Sequence, residues 1–472
     1  MKVTFSRILL LFAIGSCLLG TYLAIVRPAY LTSTRYLGAL MFLQVLLAAT
    51  WNYRQRFFPL VLLIFFWAGV GFPLASVWTS GRWLVLAAAG IAGLAIYLRD
   101  ENHHFGMFHL LAFVCVLSAL ISAMVSSYPG TSILKALSLL LLFFYGAAGA
   151  RLAVVGREAS FFSGLLVGCE ITVYWTAIAY FVLGFKFFGN PNSLGAVMGV
   201  LMAPLLLWGI LISDRTITRR RRTAAFILSL LLLFFSFARA GIVAGIVSCV
   251  LLCLTLRRYR LLIKGASVAV LAAGLIYTVA PHQSAPSDSM TSMFLYKGQQ
   301  GSGVLGSRQS PWQQTVSSIR EHPWFGSGFG TSPTSDEPVQ TGTYASISKI
   351  AREHGNSYLA ILEWVGLLGV LPFFALVLFI AVRIFYVLAW MWRTGDPLHA
   401  AIPIAMVLVA GLTHAVFEDW LFATGYYVCV FFWCCAFVLF DVAPERFPAV
   451  AAGRFRLPWS GNFGLASPFP PR

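Results

Sequence analysis

Thr223–Leu256 reads TAAFILSLLLLFFSFARAGIVAGIVSCVLLCLTL. Two apolar runs, 223–237 and 240–256, meet at the turn SFARAG, and neither run shows the two-residue alternation of a barrel strand. Each run approaches the ~20 residues that carry a helix across ~30 Å of hydrocarbon. A helix also satisfies its own backbone there. The stretch therefore predicts two membrane helices joined by a tight turn. The pattern repeats outward in both directions. Apolar spans fall near 8–26, 36–51, 57–78, 83–98, 105–125, 131–150, 160–185, 190–212, 265–280, 357–382, 400–417 and 421–440. The expectation is an all-α polytopic membrane protein of 12–14 transmembrane helices with one large outer loop.

Composition agrees. Of 472 residues, 59% are apolar and 10% charged, and the mean hydropathy is +0.82. Soluble domains carry about 25% charged residues, so a soluble enzyme, a disordered chain and a disulfide scaffold are excluded. The eight cysteines (Cys17, Cys115, Cys169, Cys249, Cys253, Cys429, Cys434 and Cys435) all lie inside apolar spans without metal-type spacing. They read as buried thiols. The run Ile8–Val26 exceeds the 7–15 residues of a signal-peptide core and reads as a retained first span.

The net charge of +17 sorts the loops rather than pointing to nucleic acid, because no folded basic domain accompanies the charge runs. Basic residues collect on the cytoplasmic side of membrane proteins. With the N-terminus inside, twenty-two of the 33 fall in cytoplasmic segments, among them Arg219–Arg222 and the cluster Arg257, Arg258, Arg260 and Lys264. Both termini are then cytoplasmic. The chain divides into membrane helices at 1–185 and 186–280, an outer loop at 281–356, helices at 357–440 and a tail at 441–472.

The loop is Gly-, Ser- and Pro-rich and too long to lack a role. Within it, SPWQQTVSSIREHP predicts a helix capped by Ser310, with Pro311 in the first turn and Pro323 past its end. Trp312, Val316 and Ile319 share its apolar face, and GSGFG (Gly326–Gly330) follows.

Charged groups at a membrane need partners or a function. Arg239, in the outer turn SFARAG, reads equally as a phosphate ligand or as an interfacial arginine on a lipid headgroup. His354 is a candidate acid–base group, although a lone interfacial histidine is commonly structural. Arg352 and Glu353 make its position polar. Arg308 and Arg320 flank the loop helix. Asn190 and Asn192 open a span, where capping is the simpler role, and Asn356 lies beside His354. Glu170 sits mid-span, either paired to a neighbouring helix or on an ion path. Glu363, nine residues beyond His354, is expected at a different depth. His414 and Glu418, four apart at the end of a span near Asp419, are two ligands at most for a metal.

Four blocks, NPNSLGAVMG, SFARAGIVAGIV, SRQSPWQQTVSSIREHPWFGSGFG and HGNSYLAILEWVGLLG, in this order over about 185–385, resemble the O-antigen ligase and polymerase family of bacterial envelope glycosyltransferases. The resemblance implies an inner-membrane enzyme with its site in the periplasm. Its donor would be an undecaprenyl-pyrophosphate-linked glycan and its acceptor a sugar hydroxyl on another glycan or on lipid A core. No cofactor, metal or nucleotide is implied, and membrane lipids are the surrounding partner. Family arginines fall on Arg239 and Arg308 and the family histidine on His354, which makes these three the expected catalytic residues. Arg320, Asn190, Asn192 and Asn356 are the expected substrate-binding residues. The family often reads His-Asn directly, whereas Gly355 here separates His354 from Asn356. The rival readings are polymerase against ligase within the family, a lipid-linked-glycan transporter or flippase, and an assembly scaffold that docks through the loop aromatics.

Overall fold

The computed structural model describes residues 22, 25–26, 57–70, 75–98, 105–279, 306–332 and 352–444. Helices account for the architecture: α1 (Phe57–Gly69), α2 (Ala75–Tyr97), α3 (Met107–Met124), α4 (Pro129–Val154), α5 (Glu158–Val182), α6 (Pro191–Leu211), α7 (Thr216–Phe235), α8 (Arg239–Thr255), α9 (Tyr259–Val279), α10 (Gly306–Glu321), α11 (Ser357–Thr394), α12 (Ala401–His414) and α13 (Tyr427–Val442). Each predicted span from 57 onward overlaps one of them, although α1 ends at Gly69 within the predicted 57–78 and α13 begins only at Tyr427. The two earlier spans, 8–26 and 36–51, lie outside the described residues apart from 22, 25 and 26, and the tail beyond 444 lies outside them too. Among the described residues, five helices (α3, α4, α5, α6 and α11) are long and apolar enough to cross a membrane, and five shorter apolar helices accompany them. The protein is an all-α polytopic membrane protein.

Helix α13 is apolar all round, and every residue from Tyr427 to Leu439 is buried, as expected of a helix at the centre of a bundle. Helix α12 packs beside it and is nearly as enclosed. The outer helices expose large apolar side chains instead, such as Leu110, Phe113 and Ile121 on α3 and Leu371, Leu378 and Phe385 on α11. These side chains form a lipid-facing surface.

Helices α6 and α8 start at the same end of the bundle and cross through glycines. A Cβ on Gly199 would strike the Gly241 carbonyl, and one on Gly241 would strike that of Gly195. Small residues four apart on both helices permit this backbone contact. It sets the start of α8 against Gly195 in the first turns of α6.

Charges inside the bundle are paired. Glu170 is bound by Arg221 and Arg222, and Arg222 Nη1 also donates to the Gly209 carbonyl (2.9 Å) and to Ser213 Oγ (2.8 Å). Of the two readings open for Glu170, the structure shows the pairing to a neighbouring helix, α7. The arginine run expected between spans belongs to α7, whose first turns are drawn inward by this carboxylate.

The loop helix differs from its prediction. Helix α10 begins at Gly306, so Ser310 does not cap it and Pro311 lies inside it. The residues packed inward are Arg308, Trp312, Thr315 and Ile319, while Val316 is exposed. The spacing of four, three and four residues follows one helix face.

The segment after α10 is sewn into α11. Gly366 has φ 69° and ψ −178°, a conformation open essentially to glycine alone, and it breaks the helical ladder. The strap at 323–332 satisfies the freed groups through its first six residues. Leu367 N donates to Pro323 O (2.8 Å) and Leu368 N to Trp324 O (3.2 Å), while Ser327 N donates to Glu363 O (2.9 Å) and Gly328 N to Trp364 O (3.1 Å). Ser132 Oγ and Lys135 Nζ of α4 donate to the Phe329 and Gly330 carbonyls, fixing the strap on its other side.

Candidate active site

Asn356 opens α11 as its N-cap. Its Oδ1 accepts from Tyr358 N (2.8 Å) and Leu359 N (3.1 Å). Ser357 then binds the α12–α13 connection: its N donates to Ala415 O (2.9 Å) and its Oγ to Glu418 O (2.6 Å). These bonds bring Glu418 and Asp419 against residues 352–356.

His354 is buried between three elements. Asp419 Oδ2 accepts from its backbone N (2.9 Å) and lies 3.0 Å from Nδ1. On the other edge, Nε2 is 2.8 Å from Ser332 Oγ of the strap and 3.3 Å from Glu363 Oε2. The Trp364 ring stands edge-on to the imidazole at 5.4 Å, and its Nε1 donates to Ser332 Oγ (2.9 Å). Burial opposes charge on the imidazole, but hydrogen bonds to Asp419 and Glu363 and their negative charges outweigh it, so its pKa is raised. Asp419 moves the other way. Burial would raise its pKa, but the bonds from the His354 ring and backbone hold it below the usual carboxylate range. The histidine ring is 2% exposed and the Asp419 side chain 27%, so Asp419 is the member of the couple that faces outward.

Glu363 is not at a different depth from His354. The chain before Asn356 turns back along the first two turns of α11, which places both His354 and Arg352 against the Glu363 carboxylate. A charge within LAILEWVGLLG needs a partner as much as Glu170 does, and that was the available signal. Ser332 carried no comparable signal in the sequence.

Arg308 reaches the same place from α10. It binds Glu353 through Nη1 (2.5 Å) and Glu418 through Nη2. Its side chain crosses Gly355, where a Cβ would lie 2.9 Å from Cδ and where φ is +62°. Trp312 Nε1 donates to the Gly355 carbonyl (3.2 Å). The glycine between His354 and Asn356 is thus the floor on which Arg308 rests. Arg239, at the start of α8, lies within electrostatic reach of Arg308.

The other predicted residues are placed differently. Asn190 is exposed and accepts from Asn192 N (2.9 Å), acting as the cap of α6. Arg320 is exposed twelve residues beyond Arg308 on α10, about 18 Å along the axis, and does not join the cluster. His414 and Glu418 do not share a helix face, because α12 ends at His414. His414 Nδ1 accepts from Trp420 Nε1 (2.6 Å), and Glu418 is held by Arg308. Among the described residues no three His, Cys, Asp or Glu side chains converge as metal ligands.

Fold and site together define a polytopic membrane protein with a charged acid–base cluster at one end of its bundle. Residues 224–374 match the family model of the O-antigen ligases. The match includes Arg239, Arg308, His354 and Glu363, whereas Glu418 and Asp419 come from outside it. No curated protein matches the chain.

Proposed function

We propose that the protein transfers a glycan from an undecaprenyl-pyrophosphate carrier to a sugar hydroxyl at the periplasmic face of the bacterial inner membrane. One observation carries the reading. Within the O-antigen ligase match, Arg308 rests on the residue next to His354 and lies within electrostatic reach of Arg239. Two guanidinium groups beside an acid–base couple suit a reaction that expels an anion.

In this reading the acceptor oxygen attacks the anomeric carbon as the bond from that carbon to the diphosphate breaks. The electron pair leaves on the phosphate oxygen, which Arg239 and Arg308 stabilise. The hydroxyl proton passes to the His354–Asp419 couple. Direct displacement inverts the anomeric centre without a metal. Arg308 is neutralised at rest, so the diphosphate takes the place of Glu353, the more exposed of its two carboxylates. Asn190, Asn192 and Arg320 line the approaches rather than the reacting centre, and Asn356 serves by holding α11 in place.

The test is transfer by purified protein in lipid nanodiscs, with undecaprenyl-pyrophosphate-linked repeats as donor and lipid A core or repeat units as acceptor. His354→Ala is expected to lose about 10²–10⁴-fold in rate. Arg239→Ala and Arg308→Ala are each expected to lose about 10²-fold or more. Wild-type rates in these variants refute the assignment. Transport of donor with its pyrophosphate bond intact favours a flippase instead.

A further inference from the structure

We propose that Glu363 is a positioning residue, a carboxylate seated by the Gly366 break that holds the His354 ring in place and sets the pH at which it works. The inference rests on the transferase reading above.

Geometry carries it. The Glu363 side chain is wholly enclosed, and its Oε2 meets both His354 Nε2 and Arg352. Its main-chain carbonyl accepts from Ser327 N, and the carbonyl of Trp364 accepts from Gly328 N and Ser122 Oγ. The turn that bears Glu363 is therefore clamped by the strap on one side and by α3 on the other. The charged and titratable groups around His354 come from every element packed on it. They are Asp419 from the α12–α13 connection, Glu363 from α11, and Arg352 and Glu353 from its own segment. Arg308 of α10 lies one residue away, bonded to Glu418. Ser332 from the strap completes the contact. Only Asp419 and Glu363 bring negative charge into direct contact with the ring, and Arg352 offsets one of them.

The two members of the Glu363–Arg352 pair consequently act in opposite directions on the imidazole. Removing the carboxylate favours the neutral ring. Removing the guanidinium leaves the carboxylate uncompensated and favours the charged ring. A residue that merely filled space would produce neither effect.

The experiment is the pH–rate profile of transfer by the full-length protein in nanodiscs, with the donor and acceptors named above. Glu363→Gln is expected to move the acidic limb to lower pH by about one unit, and Arg352→Gln to move it to higher pH. Opposite displacements establish the role. Profiles that coincide with wild type, or that move in the same direction, overturn it. If Glu363→Gln yields no folded protein, the Arg352→Gln profile decides alone: an alkaline shift supports the role and no shift overturns it. His354→Ala separates this inference from the one beneath it. Absence of transfer by wild type removes the transferase reading and full transfer by His354→Ala removes the role of His354, whereas an inactive His354→Ala with unmoved profiles in the other variants removes only Glu363.

Discussion

The His354 imidazole is stabilised in its charged form by Asp419 and Glu363. A group whose folded pKa lies above its unfolded value, about 6.5 for histidine, lends stability that is complete below the unfolded value. That stability fades as pH rises through the folded value. Thermal unfolding of wild type is therefore expected to occur at progressively lower temperature from about pH 6.5 upward. His354→Gln is expected to flatten that dependence. Asp419 has the reverse sign: its lowered pKa gives stability present above its ordinary value, about 3.9, and lost as pH falls through the folded one. At this scale Arg239, Arg308 and His354 stood out in the sequence as candidates, as charged or titratable groups beside apolar spans that fall on the family's positions. The sequence did not disclose that Glu363 faces His354, because the back-turn before Asn356 depends on contacts to residues 415–421, far along the chain.

Among the elements, α11 departs most from a uniform helix. Its apolar run was plain in the sequence, but the break was not, since LEWVGLLG is compatible with an unbroken helix and only the strap makes the kink favourable. A methyl group on Gly366 would meet the Trp324 carbonyl group, at a φ of +69°. Gly366→Ala is expected to release the strap, measured as faster proteolysis within 323–332 and as a loss of transfer in protein that remains folded. Helix α10 shows the same limit from another side. Pro311 reads as a start signal, yet the inward pull of Arg308 toward Glu418 extends the helix one turn before it.

Across the whole molecule, the end of the bundle opposite the site is closed by an ion pair between a buried arginine and a solvent-accessible aspartate. Arg151 of α4 donates to both carboxylate oxygens of Asp441 of α13, and its Nη1 also meets Tyr97 Oη at 3.0 Å. Arg151→Ala removes the hydrogen bonds to Asp441 and Tyr97 and is expected to cost about 1.5–3 kcal/mol of stability, since the Asp441 left behind is solvent-accessible. The loss is measured as a lower unfolding temperature. Asp441→Asn added to it is expected to cost less than the sum, and the KM for donor is expected to stay unchanged in folded protein. The order of spans was legible because hydropathy alone dictates it, whereas this lock joins residues 290 positions apart. The interleaving of strap and broken helix also bears on how such proteins can diversify. A recombination event that imported a foreign loop but retained the resident α11 would take the Ser327 N–H from the Glu363 carbonyl and the strap carbonyls from the Leu367 and Leu368 N–H groups. The inheritable cassette therefore runs from α10 through Leu368, so a new loop must arrive together with the membrane helix that seats it.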